Sequence, residues 1–237
     1  MPPIYFALIM DRRSGSTMLR NTLNQNPQID CSNEIFNSYE AIDGAGWSGE
    51  IGYGATVEVF WRWRRADRSP EVKAVGTLIH RWQAEFFPGL IQLTRGLHTR
   101  FICIYRDNLL RQFLSEMIAM NTSIWSSDPE FVKTLPKMDI SPEALRLFVA
   151  TRISERAQDW TFQPRIEYSL ENLFRGWDGI TERLQHYIGV SPQPLIPTSK
   201  KQETRLLKDS IANYDEIAET VVNIGHSEWL DPPQEEV

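Results

Sequence analysis

The segment IYFALIMDRRSGST (residues 4–17) is the most informative part of the chain. Residues 4–10 form an unbroken apolar run of strand length, which is typical of a parallel strand covered on both faces. A polar turn with a single glycine follows, and leucines four positions apart in residues 17–24 predict a helix that ends at Asn26-Pro27. The segment therefore predicts a buried strand, a polar loop and a helix.

The polar loop carries groups that suit a phosphate. Gly15 allows the backbone to curl so that successive N–H groups converge, and the start of the next helix adds its dipole and its free N–H donors. Ser14, Ser16 and Thr17 supply hydroxyls, and Arg13 supplies a permanent positive charge. A plain polar turn is the alternative, but the strand before it and the arginines inside it favour a phosphate site. The Gly-Lys pair of a Walker A loop is missing, which counts against ATP or GTP hydrolysis.

Strand and helix patterns alternate along the rest of the chain. The predicted elements are strands at residues 72–80, 101–105 and 165–168, helices that begin near residues 108 and 142, and helices over residues 170–188 and 206–224. This alternation predicts an α/β fold, with a P-loop-like parallel sheet flanked by helices. We expect a single domain over residues 1–237, with its core at about residues 4–225 and an acidic tail at residues 231–237. Ligands bind beyond the carboxyl ends of the strands in such sheets.

Composition excludes several classes of protein. The net charge of −6 argues against a nucleic-acid binder, which usually has a basic excess. Cys31 and Cys103 have no CxxC partners, so disulfide and zinc frameworks are not expected and a reducing compartment is favoured. The apolar run at residues 4–10 is too short to cross a bilayer and lacks the features of a signal peptide. We therefore expect a cytoplasmic protein without stable membrane insertion.

The loop at residues 13–17, followed by Leu19, resembles the phosphate-binding loop of sulfotransferases that use 3′-phosphoadenosine-5′-phosphosulfate (PAPS). The resemblance implies the sulfotransferase fold, PAPS as sulfuryl donor and adenosine 3′,5′-bisphosphate (PAP) as product. It implies that Arg13 contacts the bridging oxygen and the sulfuryl group, and that residues 14–17 hold the 5′-phosphate. Arg12 is included in the predicted nucleotide-binding group at this end.

The segment YRDNLLRQFLS (residues 105–115) resembles the second signature of that family. There, an arginine at a strand end and a serine in the following helix bind the 3′-phosphate, which implies these roles for Arg106 and Ser115. Taken alone, Arg106 is equally compatible with a local cap or salt bridge. Lys200 and Lys201 lie in a stretch that resembles the C-terminal segment of bacterial carbohydrate sulfotransferases, which implies a basic contribution to the same phosphate.

Sulfuryl transfer is an in-line displacement in which charge builds up on the leaving oxygen, and it also needs a base for the acceptor hydroxyl. Arg13 supplies charge neutralisation, so no metal is expected. Glu34 is the favoured base on the resemblance, and His80 is the second candidate because histidine has a suitable pKa. Each also has a structural interpretation: Glu34 as the partner of a helix dipole, and His80 as a buried hydrogen-bonding group.

The acceptor is not defined by the sequence, although the resemblance favours a carbohydrate or another small polar hydroxyl. Tryptophans and arginines cluster in and near residues 60–68, where they either bind the acceptor or form a packed surface with solvated charges: Trp47, Trp61, Trp63, Trp82, Arg62, Arg64 and Arg65. Three alternatives stay open: a P-loop-like small-molecule or nucleotide kinase, a non-catalytic binding module, and a sulfotransferase-like protein that has lost catalysis. The oligomeric state is open too, and a homodimer is compatible with the sequence.

Overall fold

A computed structural model describes residues 2–34, 66–81, 83, 98–123, 135–157, 162–198 and 205–231. The chain divides into two compact units, the first comprising Met1–Tyr105 and Gln158–Thr198 and the second comprising Arg106–Ala157 and Ser199–Val237. That the whole chain is a single domain stays a prediction.

Strands and helices alternate along the described chain. In order, they are β1 (Ile4–Met10), α1 (Ser16–Leu23), β2 (Ile29–Ser32), β3 (Ala74–His80), β4 (Arg100–Tyr105), α2 (Leu109–Thr122), α3 (Pro142–Ala157), β5 (Arg165–Ser169), α4 (Leu170–Arg175), α5 (Trp177–Tyr187), α6 (Leu207–Ser210), α7 (Tyr214–Asn223) and a 3-10 turn (Ser227–Trp229).

The first unit contains a parallel five-stranded sheet with the strand order β2-β3-β1-β4-β5, together with α1, α4 and α5. The predicted α/β fold with a parallel sheet flanked by helices is confirmed. β1 lies at the centre, and residues 6–10 are fully buried, as the apolar run requires. All four strand pairings are parallel, so the carboxyl ends of the strands meet at one edge of the sheet.

Gly76 interrupts the apolar pattern of β3 for a packing reason. It lies opposite Phe6 in the register between β1 and β3. A Cβ atom at this position would lie 2.2 Å from Cζ of the Phe6 ring, far inside van der Waals contact. The missing side chain therefore leaves room for the phenyl ring that fills the centre of the core.

One strand was missed from the sequence, and two predicted helices are broken in the structure. β2 was not predicted, because four residues with only two of them buried give too short an alternation to recognise. The helix expected over residues 170–188 breaks at Gly176, which adopts φ −115° and ψ 34° between α4 and α5. Glycine is a poor helix former, and here it ends one helix and starts another.

The helix expected over residues 206–224 is also broken, into α6 and α7. Ile211 between them forms a parallel bridge with Met138, whose N–H donates to the Ser210 carbonyl and whose carbonyl accepts from Ala212 N, each at 2.8 Å. Helix periodicity in a sequence cannot anticipate this partner, because Met138 is distant along the chain.

The second unit consists of α2, α3, α6, α7 and the 3-10 turn around an apolar core of its own. Its two predicted helix starts are confirmed. Asn108 caps α2 by accepting from Arg111 N at 2.9 Å, and Ser141 precedes Pro142 at the start of α3, where its hydroxyl accepts from Ala144 N at 3.3 Å. Within the described residues, no helix has the length and apolar character that crossing a membrane requires.

Candidate functional site

The loop between β1 and α1 is held in a backbone conformation that suits an anion. Arg13 and Gly15 both have positive φ, 61° and 84° respectively. A positive φ is unusual for a residue with a side chain and clusters at functional sites. Glycine is needed at position 15 for its φ, and a Cβ there would also lie 2.8 Å from Cδ1 of Leu170. Turns that contain such residues direct successive N–H groups into one concavity.

The start of α1 has no side-chain cap and no negative charge that would compete with an anionic ligand. The N-cap is Gly15, no side chain caps the helix, and its first turn contains no acidic residue. The first N–H groups of an α-helix have no partner within the helix. Ser16 is half-buried and Thr17 exposed, beside the exposed Arg12 and the half-buried Arg13. The helix start thus combines open donors with positive charge, which is the arrangement that binds phosphate.

Ser14 differs from its neighbours because it faces inward. It is fully buried, and its hydroxyl donates to the Asp11 carbonyl at 2.7 Å, while its own N–H points to the same carbonyl at 3.3 Å. The hydroxyl therefore shapes the loop. Its assignment as a contact to the 5′-phosphate stays a prediction.

A buried ion pair that the sequence analysis missed lies at the beginning of the loop, where Asp11 follows β1. Arg81 Nη1 lies 3.0 Å from Asp11 Oδ1, with the two side chains 3% and 0% exposed. The same nitrogen donates to the Ile104 carbonyl at 3.3 Å. The pair thus connects the residues that follow β1 and β3 with the end of β4. An aspartate and an arginine directly after two buried strands were the available signal, because parallel strands bring such residues together.

The two candidate bases, considered as alternatives from the sequence, form one pair. His80 Nε2 lies 2.9 Å from Glu34 Oε1, and His80 Nδ1 lies 3.3 Å from the Met10 carbonyl at the end of β1. The backbone that carries them is also fixed, since the Thr77 hydroxyl donates to the Asn33 carbonyl at 2.9 Å. The signal that could have found this pair was β2, whose pairing with β3 brings residue 34 next to residue 80.

The two members of the pair differ in their exposure to solvent. The Glu34 side chain is 21% exposed and that of His80 is 7% exposed. Both imidazole nitrogens face oxygen atoms, and a proton between Nε2 and Oε1 satisfies both groups whichever of the two carries it. The carboxylate is therefore the accessible end of the pair, and the imidazole is its buried support.

In the second unit, Arg106 and Ser115 are only 9% and 8% exposed. The Arg106 carbonyl accepts from Arg156 Nη2 at 2.6 Å, which fixes the backbone just before α2. The sequence predicts an apolar stripe along this helix, with Gln112 and Ser115 on the other side, but both of these residues are buried. The stripe consists of Leu109, Leu110, Phe113, Leu114, Met117 and Ile118. The helix is therefore covered on more than its apolar stripe. The roles of Arg106 and Ser115 at the 3′-phosphate stay predictions.

Several predicted residues lie outside the described part of the chain. They are Lys200, Lys201, Trp47, Trp61, Trp63, Trp82, Arg62, Arg64 and Arg65. Within the described part, no group of three or more His, Cys, Asp or Glu side chains is placed to hold a metal ion.

The fold of this chain is similar to that of known proteins. A scan against protein-family models found no match, and a search of curated proteins found none either. Among solved structures, a sulfotransferase from Alicyclobacillus acidocaldarius is similar with a TM-score of 0.52 and 16% identity, over 97% of this chain and 99% of that chain. A mouse sulfotransferase solved in complex with PAP has a TM-score of 0.50 and 12% identity, over 81% of this chain and 61% of that chain. At these identities, the likeness shows that the chain has the sulfotransferase fold.

Proposed function

We propose that this protein is a sulfotransferase that moves a sulfuryl group from PAPS to an acceptor hydroxyl. The observation that carries the proposal is the arrangement at the carboxyl edge of the sheet. A loop suited to phosphate follows β1, and a carboxylate–imidazole pair is anchored to the Met10 carbonyl of the same strand. The fold shared with sulfotransferases supports the reaction, and the mouse protein solved with PAP supports the donor.

The loop residues 12–17 hold the 5′-phosphosulfate end of the donor. The acceptor oxygen attacks sulfur while the bond from sulfur to the bridging phosphate oxygen breaks, and the electron pair of that bond stays on the 5′-phosphate of PAP. Arg13 neutralises the charge that develops on this oxygen, since a guanidinium stays protonated at ordinary pH. The N–H groups at the start of α1 support the same phosphate. The loop thus supplies positive charge without a metal ion.

Glu34 is the base. Its carboxylate takes the proton of the acceptor hydroxyl as the bond between oxygen and sulfur forms, and the proton later passes to solvent. His80 acts through Glu34 as a positioning residue, because its Nε2 orients the carboxylate and its Nδ1 is directed at the Met10 carbonyl. The greater exposure of Glu34 supports this division of roles.

Arg106 and Ser115, with Lys200 and Lys201, bind the 3′-phosphate. This phosphate distinguishes PAPS from ATP, so a site for it selects the donor. The rigid start of α2 supports the assignment, because Asn108 caps the helix and Arg156 fixes the Arg106 carbonyl.

The acceptor is a carbohydrate or another small polar molecule with a free hydroxyl, and the reaction takes place in the cytoplasm. The segment over residues 60–68 is a candidate acceptor surface, because aromatic rings stack on sugars and arginines hold anionic groups. Nucleic acid is not a substrate class for this protein, given the net charge of −6.

The proposal is tested by nucleotide binding and by transfer. We expect PAP to bind and to raise the melting temperature, while ATP at the same concentration has little effect. Radiolabelled PAPS incubated with the protein and an extract of the source cell should yield a labelled product that mass spectrometry identifies as a sulfate ester. Stabilisation by ATP instead of PAP would favour the kinase alternative. Binding of PAP without transfer to any component of the extract would favour a protein that has lost catalysis.

A further inference from the structure

Asp231 connects three segments of the second unit. Its Oδ1 accepts a hydrogen bond from Arg111 Nη2 on α2, and its Oδ2 accepts one from Leu207 N at the start of α6. Arg111 Nη1 also donates to the Arg205 carbonyl at 3.4 Å. The side chains of Arg111 and Asp231 are 17% and 11% exposed, so the ion pair is largely shielded from solvent. A pair in this environment holds its geometry better than an exposed one.

A second contact joins the same two regions. Asn108, the N-cap of α2, donates from Nδ2 to the Trp229 carbonyl at 2.7 Å, while its Oδ1 accepts from Arg111 N at 2.9 Å. The side chain of Trp229 is buried and stacks on His226, with 3.9 Å between the ring centroids and 2° between the planes. The first turn of α2 is therefore held from outside the helix by the Trp229 carbonyl and the Asp231 carboxylate.

The part of α2 that is held in this way lies between the two residues proposed for the 3′-phosphate. Asn108 follows Arg106 by two positions, and Arg111 lies one turn before Ser115 on the same helix. An arginine and a serine can bind one phosphate only if the helix start keeps them at a fixed separation and orientation. The polar contacts of Asp231 and of the Trp229 carbonyl supply that constraint.

We propose that Asp231 is a positioning residue for the 3′-phosphate end of the nucleotide. It holds Arg111, and with the Trp229 carbonyl it fixes the start of α2, so that Arg106 and Ser115 are set for the phosphate before it binds. This inference rests on the proposed function, since it assumes that those two residues bind the 3′-phosphate. It assigns a binding role to a segment that no sequence motif marked.

The test compares two nucleotides that differ in the 3′-phosphate alone: PAP and adenosine 5′-monophosphate. Binding of each is measured by calorimetry for the full chain and for Asp231→Asn, which keeps the shape of the side chain and an acceptor for Leu207 N but removes the charge that holds Arg111. We expect PAP to bind roughly tenfold more weakly to the variant, as when an outer partner of a ligand-binding group is removed. Affinity for the monophosphate should stay the same.

Glu228→Gln is the matched control, because Glu228 lies on the same segment, is 64% exposed, and bonds His226 Nδ1 at 2.9 Å. It should bind both nucleotides like the unmodified protein. Asp231→Glu keeps the negative charge but places it on a side chain that is one methylene longer. It should bind PAP more tightly than Asp231→Asn but less tightly than the unmodified protein. In transfer assays, Asp231→Asn should raise KM for PAPS and leave kcat at saturation unchanged, a split that a merely structural role does not produce.

The outcomes separate this inference from the function on which it rests. If the unmodified protein binds PAP no more tightly than the monophosphate, the proposed 3′-phosphate site is overturned, and the role of Asp231 falls with it. If the unmodified protein prefers PAP but Asp231→Asn shows the same preference, or loses affinity for both nucleotides alike, the role of Asp231 alone is overturned.

Discussion

His80 Nε2 and Glu34 Oε1 lie 2.9 Å apart at the carboxyl edge of the sheet, where β2 and β3 run side by side. Glu34 lies two residues after β2, and His80 is the last residue of β3. The imidazole is buried, reaches the Met10 carbonyl with its other nitrogen, and leaves the carboxylate as the accessible group. The pair therefore predicts unequal consequences when either member is replaced.

We expect Glu34→Gln to lower kcat by roughly 100- to 10,000-fold, the range for loss of a general base. The base acts when deprotonated, so the rate of the unmodified enzyme should fall as the pH is lowered, and this acidic limb should be missing in the variant. His80→Asn should reduce kcat less and keep the limb. The exposed Glu71→Gln serves as control. Loss of the limb in His80→Asn, with the limb intact in Glu34→Gln, would reverse the two assignments.

Arg13→Ala should lower the rate of transfer by roughly 100- to 1,000-fold, because it removes the group that we propose stabilises charge on the leaving oxygen. Its thermal unfolding should match that of the unmodified protein, since the side chain is only half-buried. Arg20→Ala removes an arginine from the helix that follows the loop and should keep full activity. Unchanged turnover in Arg13→Ala would exclude this residue from the chemistry.

Ser115→Ala should weaken the binding of PAP by roughly tenfold, the expected effect of losing one hydrogen bond to a charged group. The rate at saturating PAPS should change little, because the 3′-phosphate is remote from the sulfuryl group. Calorimetry and initial rates measure the two effects, and the exposed Thr151→Ala is the control. An unaltered affinity for PAP would place the 3′-phosphate elsewhere.

Asp11→Asn should destabilise the fold by about 3–5 kcal/mol, because it removes the carboxylate that faces the buried Arg81 guanidinium at 3.0 Å. Since Ser14 bonds the Asp11 carbonyl, we also expect weaker PAP binding through a looser loop. Denaturant unfolding measures the free energy, and the exposed Asp67→Asn should leave it unchanged. A stability equal to that of the unmodified protein would mean that the ion pair does not secure this edge of the sheet.

Burial raises the pKa of the Cys31 thiol well above its ordinary value of 9.0. Because the folded protein then disfavours the thiolate, ionisation in the unfolded chain favours unfolding, and stability should fall as the pH rises above about 9. Cys31→Ala removes this contribution. The difference in unfolding free energy between the two proteins should therefore shrink from pH 7 to pH 10, while the cost of the smaller side chain cancels. A constant difference would contradict the prediction.

Local patterns sufficed for much of the fold. The apolar run of β1, the glycine turn and the helix after it were all predictable, because each depends on residues that are neighbours in the chain. The same holds for the helix starts near Asn108 and at Ser141-Pro142. The missed strand β2 and the unpredicted breaks at Gly176 and Ile211 fall where a short strand, a backbone angle or a distant bridge outweighs helix or strand periodicity.

For the candidate site, the sequence predicted which residue types could take part, but it did not predict which of them lie in contact. The loop after β1 indicates an anion site because its glycine, its hydroxyls and its arginines are consecutive. Glu34 and His80 were two separate candidates until the pairing of β2 with β3 brought them within hydrogen-bond distance. Asp11 and Arg81 each follow a buried strand, but they meet only because β1 and β3 are neighbours in the sheet. Nothing in the chain links Arg111 to Asp231, because that pair depends on how distant segments pack. Composition and local order specify the chemistry that is available, whereas packing determines which groups meet and how far water is excluded from them.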